Sequence, residues 1–173
     1  IFLQSHDISP AYAAKIYDHY KDQTVDKLRS NPYRLIDDIR GIGFVKADQV
    51  AAKLGIGRES PERVRAGVRY CLDELIDQGH IYVLRNQLVE QTASLLEIDA
   101  DRVLDGLRFL AEAGEIMCEE ERVYRTDLYR TESLLAQQLH ILSSAAGHAI
   151  SVPGKTEMEN MLADIEKRRG IGF

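Results

Sequence analysis

Apolar positions along this chain recur mostly at intervals of three and four, the spacing of one helix face, and shorten only around residues 80–84 and 115–126. Between residue 10 and about residue 21, Ala13, Ile16, Tyr17 and Tyr20 mark a first amphipathic helix, and a short second helix runs through Val25 and Leu28. Asn31-Pro32 then supplies a capping residue and a proline at the first helical position. The apolar turn Leu35, Ile36 and Ile39 leads into Arg40-Gly41-Ile42-Gly43-Phe44, after which Ala47, Val50, Ala51 and Leu54 carry the stripe on. Two glycines around one aliphatic residue let a helix stop, reverse and restart, and the small Ala47 sits where two helices would cross. The pattern predicts a helical hairpin.

A second unit opens at Ser60-Pro61-Glu62-Arg63, with serine as cap, proline at the first position and an acid in the first turn. Its helix carries Val64, Val68, Cys71, Leu72, Leu75 and Ile76 and stops at Gly79; His80-Ile81-Tyr82-Val83-Leu84 reads as a short strand. A helix around residues 88–96 follows, then one capped by Asp99 that ends at Gly114. Ile116-Met117-Cys118 and Val123-Tyr124 form two short strands about the acidic turn Glu119-Glu120-Glu121-Arg122, and a long helix covers residues 131 to about 142. Past a loop at residues 151–154, one more helix is expected from about 157 to 168. The fold class is therefore mainly α: a tandem helix-hairpin-helix unit (1–57), a winged-helix-like α+β module (58–145), and a linker and helix (146–173).

The hairpin has a faint earlier copy. At an offset of 34 residues, Asp7-Ile8-Ser9-Pro10 falls on Gly41-Ile42-Gly43-Phe44, Ala13 on Ala47 and Ile16 on Val50. Ser9 can cap the helix that begins at Pro10, whereas Asp7 replaces the first glycine and would repel an anion, so this copy is expected to pack and not to grip. Ile1-Phe2-Leu3 resembles the end of a preceding helix, so the chain is expected to start inside a larger protein.

Composition narrows the function. Hydrophobic content of 45% and charged content of 29% describe a globular protein, and with no apolar run of membrane length and no leader pattern the expected location is the cytoplasm. Cys71 and Cys118 lie far apart, in apolar surroundings and without a ligand partner at metal spacing, so both are expected to be buried reduced thiols. The net charge of −6 is uneven: residues 1–57 hold eight Lys and Arg against seven Asp and Glu, and residues 58–173 hold fourteen against twenty-one. A local phosphate clamp fits that balance and a broad basic groove does not.

The second hairpin is where such a clamp would lie. Free backbone N–H groups and the positive end of a helix dipole point outward together beside Gly43, and Lys46 adds a charge in the first turn. The candidate DNA-backbone residues are Gly41, Ile42, Gly43 and Lys46, with Arg40 added on charge alone. The same glycines would also serve as a tight corner that binds nothing. In the second module the surface of the 99–112 helix mixes Asp101, Arg102, Asp105, Arg108 and Glu112, and the wing tip is three glutamates, a poor reader of DNA.

Nothing in the chain has the spacing of a catalytic constellation or a metal site. Gly154-Lys155-Thr156 lacks the upstream glycine of a phosphate-binding loop, since position 149 is Ala149. His80 beside Gly79 is read as a loop histidine bonding backbone. A glycosylase of the helix-hairpin-helix kind would need an aspartate in the loop after the hairpin, and residues 55–61 contain none.

Ile8-Ser9-Pro10-Ala11, Asn31-Pro32-Tyr33-Arg34-Leu35, Gly41-Ile42-Gly43-Phe44 with Ala47-Asp48, Arg63 with Ala66-Gly67, and Gly79-His80 before Tyr82 together resemble the N-terminal region of RecD-like bacterial DNA helicases. These are similar to the alpha subunit of exodeoxyribonuclease V but carry a long N-terminal extension. The resemblance implies an ATP-dependent superfamily 1 helicase moving 5′ to 3′ on single-stranded DNA in repair and recombination. It also implies that the motor motifs, with their ATP and magnesium, lie beyond Phe173, leaving this chain non-catalytic and without a cofactor of its own. Two functions follow: a module that grips the backbone of single-stranded or junction DNA, or a docking module that regulates the motor and uses the hairpins as scaffold.

Overall fold

A computed structural model describes residues 8–145 and 154–169. The chain divides into two units, residues 1–132 and 133–173.

The first unit opens with α1 (Pro10–Tyr20), a single 3-10 turn (Lys21–Gln23) and α2 (Thr24–Ser30). At Asn31 the side-chain oxygen accepts a hydrogen bond from the Tyr33 N–H at 3.0 Å, which turns the chain into a 3-10 turn (Pro32–Arg34) and the short α3 (Leu35–Asp38). After the glycine corner, α4 (Phe44–Lys53) runs out to Gly55. Ile8, Ile16, Leu28, Tyr33, Leu35, Ile39, Ile42, Phe44, Ala47, Val50 and Ala51 form one buried cluster, so both hairpin copies share a core.

Ser60 caps α5 (Pro61–Asp77) by accepting from the Arg63 N–H at 3.2 Å. α5 lies between two cores: Ala66 joins the first, while Val64, Val68, Cys71, Leu72 and Leu75 join a second with residues of β1 (Val83–Leu84), α6 (Arg85–Leu96), α7 (Ala100–Glu112), β2 (Ile116–Glu119) and β3 (Arg122–Arg125). Gly106 lets α7 press onto α5, since a Cβ there would stand 2.7 Å from Val64 Cγ1. The sheet is antiparallel in the order β1-β3-β2, with Val83 opposite Val123 and Cys118 opposite Val123 on the other side. α8 (Thr126–Ala145) leaves this unit, and the second unit also contains α9 (Lys155–Arg169). The chain is mainly helical with one small sheet, as its periodicity predicts.

Several local expectations shift. Ser9 and Asp99 stand at the N-cap positions of α1 and α7, but neither side chain makes a capping hydrogen bond. Only Val83 and Leu84 of the 80–84 run are strand, because their partners on β3 are just Val123 and Arg122 and α6 begins at once with Arg85. α8 starts five residues early, at Thr126, where the Thr126 hydroxyl donates to the Gly114 carbonyl at 2.8 Å and Asp127 sits in the first turn. Tyr17 is exposed, with the Lys21 ammonium over its ring at 5.6 Å. Cys71 is buried but Cys118 is exposed, because β2 is an edge strand and only its first residue, Ile116, reaches the core. The expectations for residues 1–7 and the loop at 151–153 lie outside the described residues.

Candidate nucleic-acid interface

The corner between α3 and α4 is built from one buried residue held by two exposed glycines. Ile42 is 3% exposed and anchors the tip in the first core, while its N–H donates to the Ile39 carbonyl at 3.0 Å. Gly41 takes φ +92, a left-handed conformation that a side chain would strain. Gly43 differs: at φ −91 and ψ −177 it is extended backbone, and a Cβ there would meet nothing within 4 Å. The expectation that both glycines serve a reversed backbone therefore holds at Gly41 alone. What Gly43 supplies is open space.

That space lies over the first turn of α4. The Gly43 carbonyl accepts from the N–H groups of Lys46 and Ala47, both at 3.1 Å, so the N–H groups of Phe44 and Val45 are the ones left without a backbone partner among the described residues. Arg40 is exposed and has no ion-pair partner among the described residues. Lys46 is exposed, and its ammonium lies 5.2 Å from the centre of the Tyr12 ring. The five candidate residues thus share one tip, with Ile42 as its anchor.

Tyr12 belongs to the earlier hairpin copy and occupies the position equivalent to Lys46. The two tips flank a cleft of about 230 Å³ lined by Ile8, Ser9 and Tyr12 from one and by Ile42, Lys46 and Gln49 from the other. No carboxylate from the described residues lines it. The copies therefore meet in space, a placement visible in the sequence only as the 34-residue offset.

Behind the tip is a polar brace. Asp48 of α4 takes a two-pronged ion pair from Arg63 of α5, Nε to Oδ1 at 2.8 Å and Nη2 to Oδ2 at 3.0 Å, and the Tyr33 hydroxyl donates to Oδ1 at 2.6 Å. The remaining Arg63 nitrogen donates to the carbonyls of Arg58 at 2.8 Å and Leu96 at 2.9 Å. Burial would raise the Asp48 carboxyl, but hydrogen bonds from Arg63 and Tyr33 and the guanidinium charge overcome it and hold the carboxyl below its ordinary value. Burial and the Asp48 carboxylate push the Tyr33 hydroxyl well above its ordinary value. The motif residues Tyr33, Asp48 and Arg63 carried no assigned role in the sequence; their partnership crosses 15 residues on each side of Asp48 and leaves no local periodic signal.

The second module offers no matching surface. On α7, Asp101, Arg102, Asp105, Arg108 and Glu112 are all exposed, and the two cations are paired, Arg102 with Glu59 and Arg108 with Asp105, each at 3.2 Å. His80 is exposed and bonds no backbone group among the described residues, contrary to the reading as a tethered loop histidine. Lys155 is the first residue of α9, directly after Gly154. Among the described residues no cluster of acids, histidines and cysteines could hold a metal ion, and no helix is long and apolar enough to cross a membrane.

Residues 1–82 match the family model of the ATP-dependent RecD2 DNA helicase HHH domain. The match includes both hairpin copies, the brace and all of α5, and ends at Tyr82 just before β1.

Proposed function

We propose, from the match of residues 1–82 to the model of the ATP-dependent RecD2 DNA helicase HHH domain, that this chain is the non-catalytic DNA-gripping region of such a helicase, holding the backbone through the second hairpin without reading sequence. The observation that carries this reading is the tip itself: two unpartnered N–H groups at the head of α4 open onto the unobstructed space beside Gly43, with Lys46 and Arg40 at its rim. A helix N-terminus with free N–H groups favours an anion, and a glycine lets a phosphate approach the backbone. An exposed tip is also what a clamp needs and what a purely structural corner does not. The brace fixes the angle between α4 and α5, so the tip is presented rigidly.

In this reading residues 58–145 form a winged-helix-like module that adds little affinity, because carboxylates pair with the exposed arginines of α7, Arg102 and Arg108. The natural substrate is single-stranded or junction DNA, delivered to motor domains with which this region works.

Titration of the chain with DNA across a range of salt concentrations tests the proposal. Binding should be similar for unrelated sequences and should weaken steeply as salt rises. Binding that ignores salt, or that is unchanged by a carboxylate placed at position 43, would favour a docking module whose hairpins are scaffold.

A further inference from the structure

A trough of about 210 Å³ starts at Gly43 and runs along α5, and its chemistry is unlike that of the tip. Three aromatic rings stack into its base: Tyr33 on Phe44 with centroids 6.1 Å apart and planes 18° apart, and Phe44 on Tyr70 at 5.2 Å and 20°. Tyr33 and Phe44 are buried, whereas Tyr70 ends the ladder and stays partly open to the trough. The walls carry Arg34, Arg65 and Arg69 against Asp37, Glu62 and Asp73, three cations and three anions.

Those guanidiniums are already engaged, Arg34 with Asp38 at 3.7 Å, Arg65 with Glu62 at 3.0 Å and Arg69 with Asp37 at 3.7 Å. The buried Arg69 Nε is ion-paired as well, with Glu115 Oε2 at 3.1 Å, in a geometry that makes no hydrogen bond. A second cavity, of about 440 Å³, continues past Arg69 and Asp73 toward Arg125 and Arg130.

A phosphate gains nothing from a neutral wall, whereas a flat uncharged heterocycle gains a ring to stack on and both donors and acceptors for its edge. We propose that the trough receives an unpaired nucleobase stacked on Tyr70, from the strand whose phosphate sits at Gly43, so that the hairpin selects single-stranded over duplex DNA. This rests on the backbone-clamp reading of the tip. A duplex keeps its bases paired and cannot fill the trough; a single strand can turn one base inward as its backbone crosses the hairpin.

The test uses residues 1–173 and a short oligonucleotide containing one fluorescent adenine analogue, presented as a single strand, as its duplex, and as an abasic strand of equal length. The single strand should bind about tenfold more tightly than either other form, the worth of one base on an aromatic ring, and the analogue's emission should be quenched on binding. Tyr70→Leu, confirmed as folded by its thermal midpoint, should lose both the quenching and the tenfold preference. Equal binding of all three forms without quenching in the unmutated chain overturns the trough, as does quenching that survives in folded Tyr70→Leu. Gly43→Asp separates the two readings. If it abolishes binding while the unmutated chain treats all three forms alike, the clamp stands and the trough falls; if it leaves binding unchanged, both fall.

Discussion

The two hairpin tips start from one plan and differ in what they leave open. Ile8 and Ile42, 34 positions apart, are both buried in the same core, and at each tip the next residue's carbonyl accepts from a helical N–H, Ser9 from Ala13 at 2.9 Å and Gly43 from Ala47 at 3.1 Å. The earlier tip then has Pro10 where the later one has Phe44, so its first helical position has no N–H to offer. Its Ser9 side chain occupies the space that Gly43 leaves clear, and Tyr12 stands where the other tip has Lys46. Ala14, exposed, stands where the other copy has Asp48, so there is no counterpart to the brace with Arg63. Burial is preserved in both copies, while the donor at the first helical position, the clearance and the charge are present in one. A shared core constrains the anchor residues and leaves the open side of the tip unconstrained.

Substitutions at the paired positions sharpen this contrast. Gly43→Asp places a carboxylate where the phosphate is proposed to sit and should reduce DNA affinity about 100-fold by like-charge repulsion. It should leave stability unchanged or slightly raised, because the position is extended, open, and an N-cap at which aspartate is preferred to glycine. Ser9→Asp, its counterpart, should alter affinity little. An equal loss from both in a DNA titration would show the copies to be functionally alike.

Breaking the brace comes next. Arg63→Ala leaves the Asp48 carboxylate with only Tyr33 and should cost about 3 kcal/mol of folding stability in denaturant titration, against almost nothing for Ala14→Ser at the equivalent site. The pH dependence has a defined sign. The Asp48 carboxyl is held below its ordinary value of 3.8 in the folded chain, so its contribution is complete above that value and is lost as pH falls through the lower folded one. Asp48→Asn should therefore flatten the stability curve on the acid side of pH 4 and leave its alkaline side as it was.

Gly41→Val forces a β-branched residue into the left-handed region and should cost about 2 kcal/mol, seen as a lowered denaturation midpoint. Gly43→Val should cost far less stability, since its backbone is extended and its surroundings are open. If the two valines proved equally costly, the assignment of conformation to one glycine and clearance to the other would be wrong. The smallest effect belongs to Lys46→Ala, which removes one phosphate contact: a weakening common to all sequences and a salt slope lower by about 1. Tyr12→Leu should move that slope less, because it removes only the ring beneath the ammonium.

Local chemistry made most elements legible. The apolar spacing of three and four marked the helices, Ser60-Pro61 the start of α5, Asn31 the turn into the second hairpin, and Gly41-Ile42-Gly43 the corner, because each of these is decided within one turn of the residue concerned. Some local signals misled. Ser9 and Asp99 have the right chemistry for caps and occupy the cap positions, yet make no capping bond. Cys118 is apolar in context and still exposed, because its strand lies at the sheet edge.

What the sequence by itself determined is the list of parts: two hairpin copies at a fixed offset, the glycines and cations of the second tip, and a helical module ending in a small sheet. Side-chain period and turn chemistry are local, so they can be read in one dimension. Only the tertiary structure decided that Lys46 meets Tyr12 across the two copies, that Asp48 is held by Arg63 and Tyr33, and that Tyr70 extends a ring ladder into a trough beginning at Gly43. Each of these joins residues at least 15 positions apart, brought together only when the apolar faces of their helices are buried.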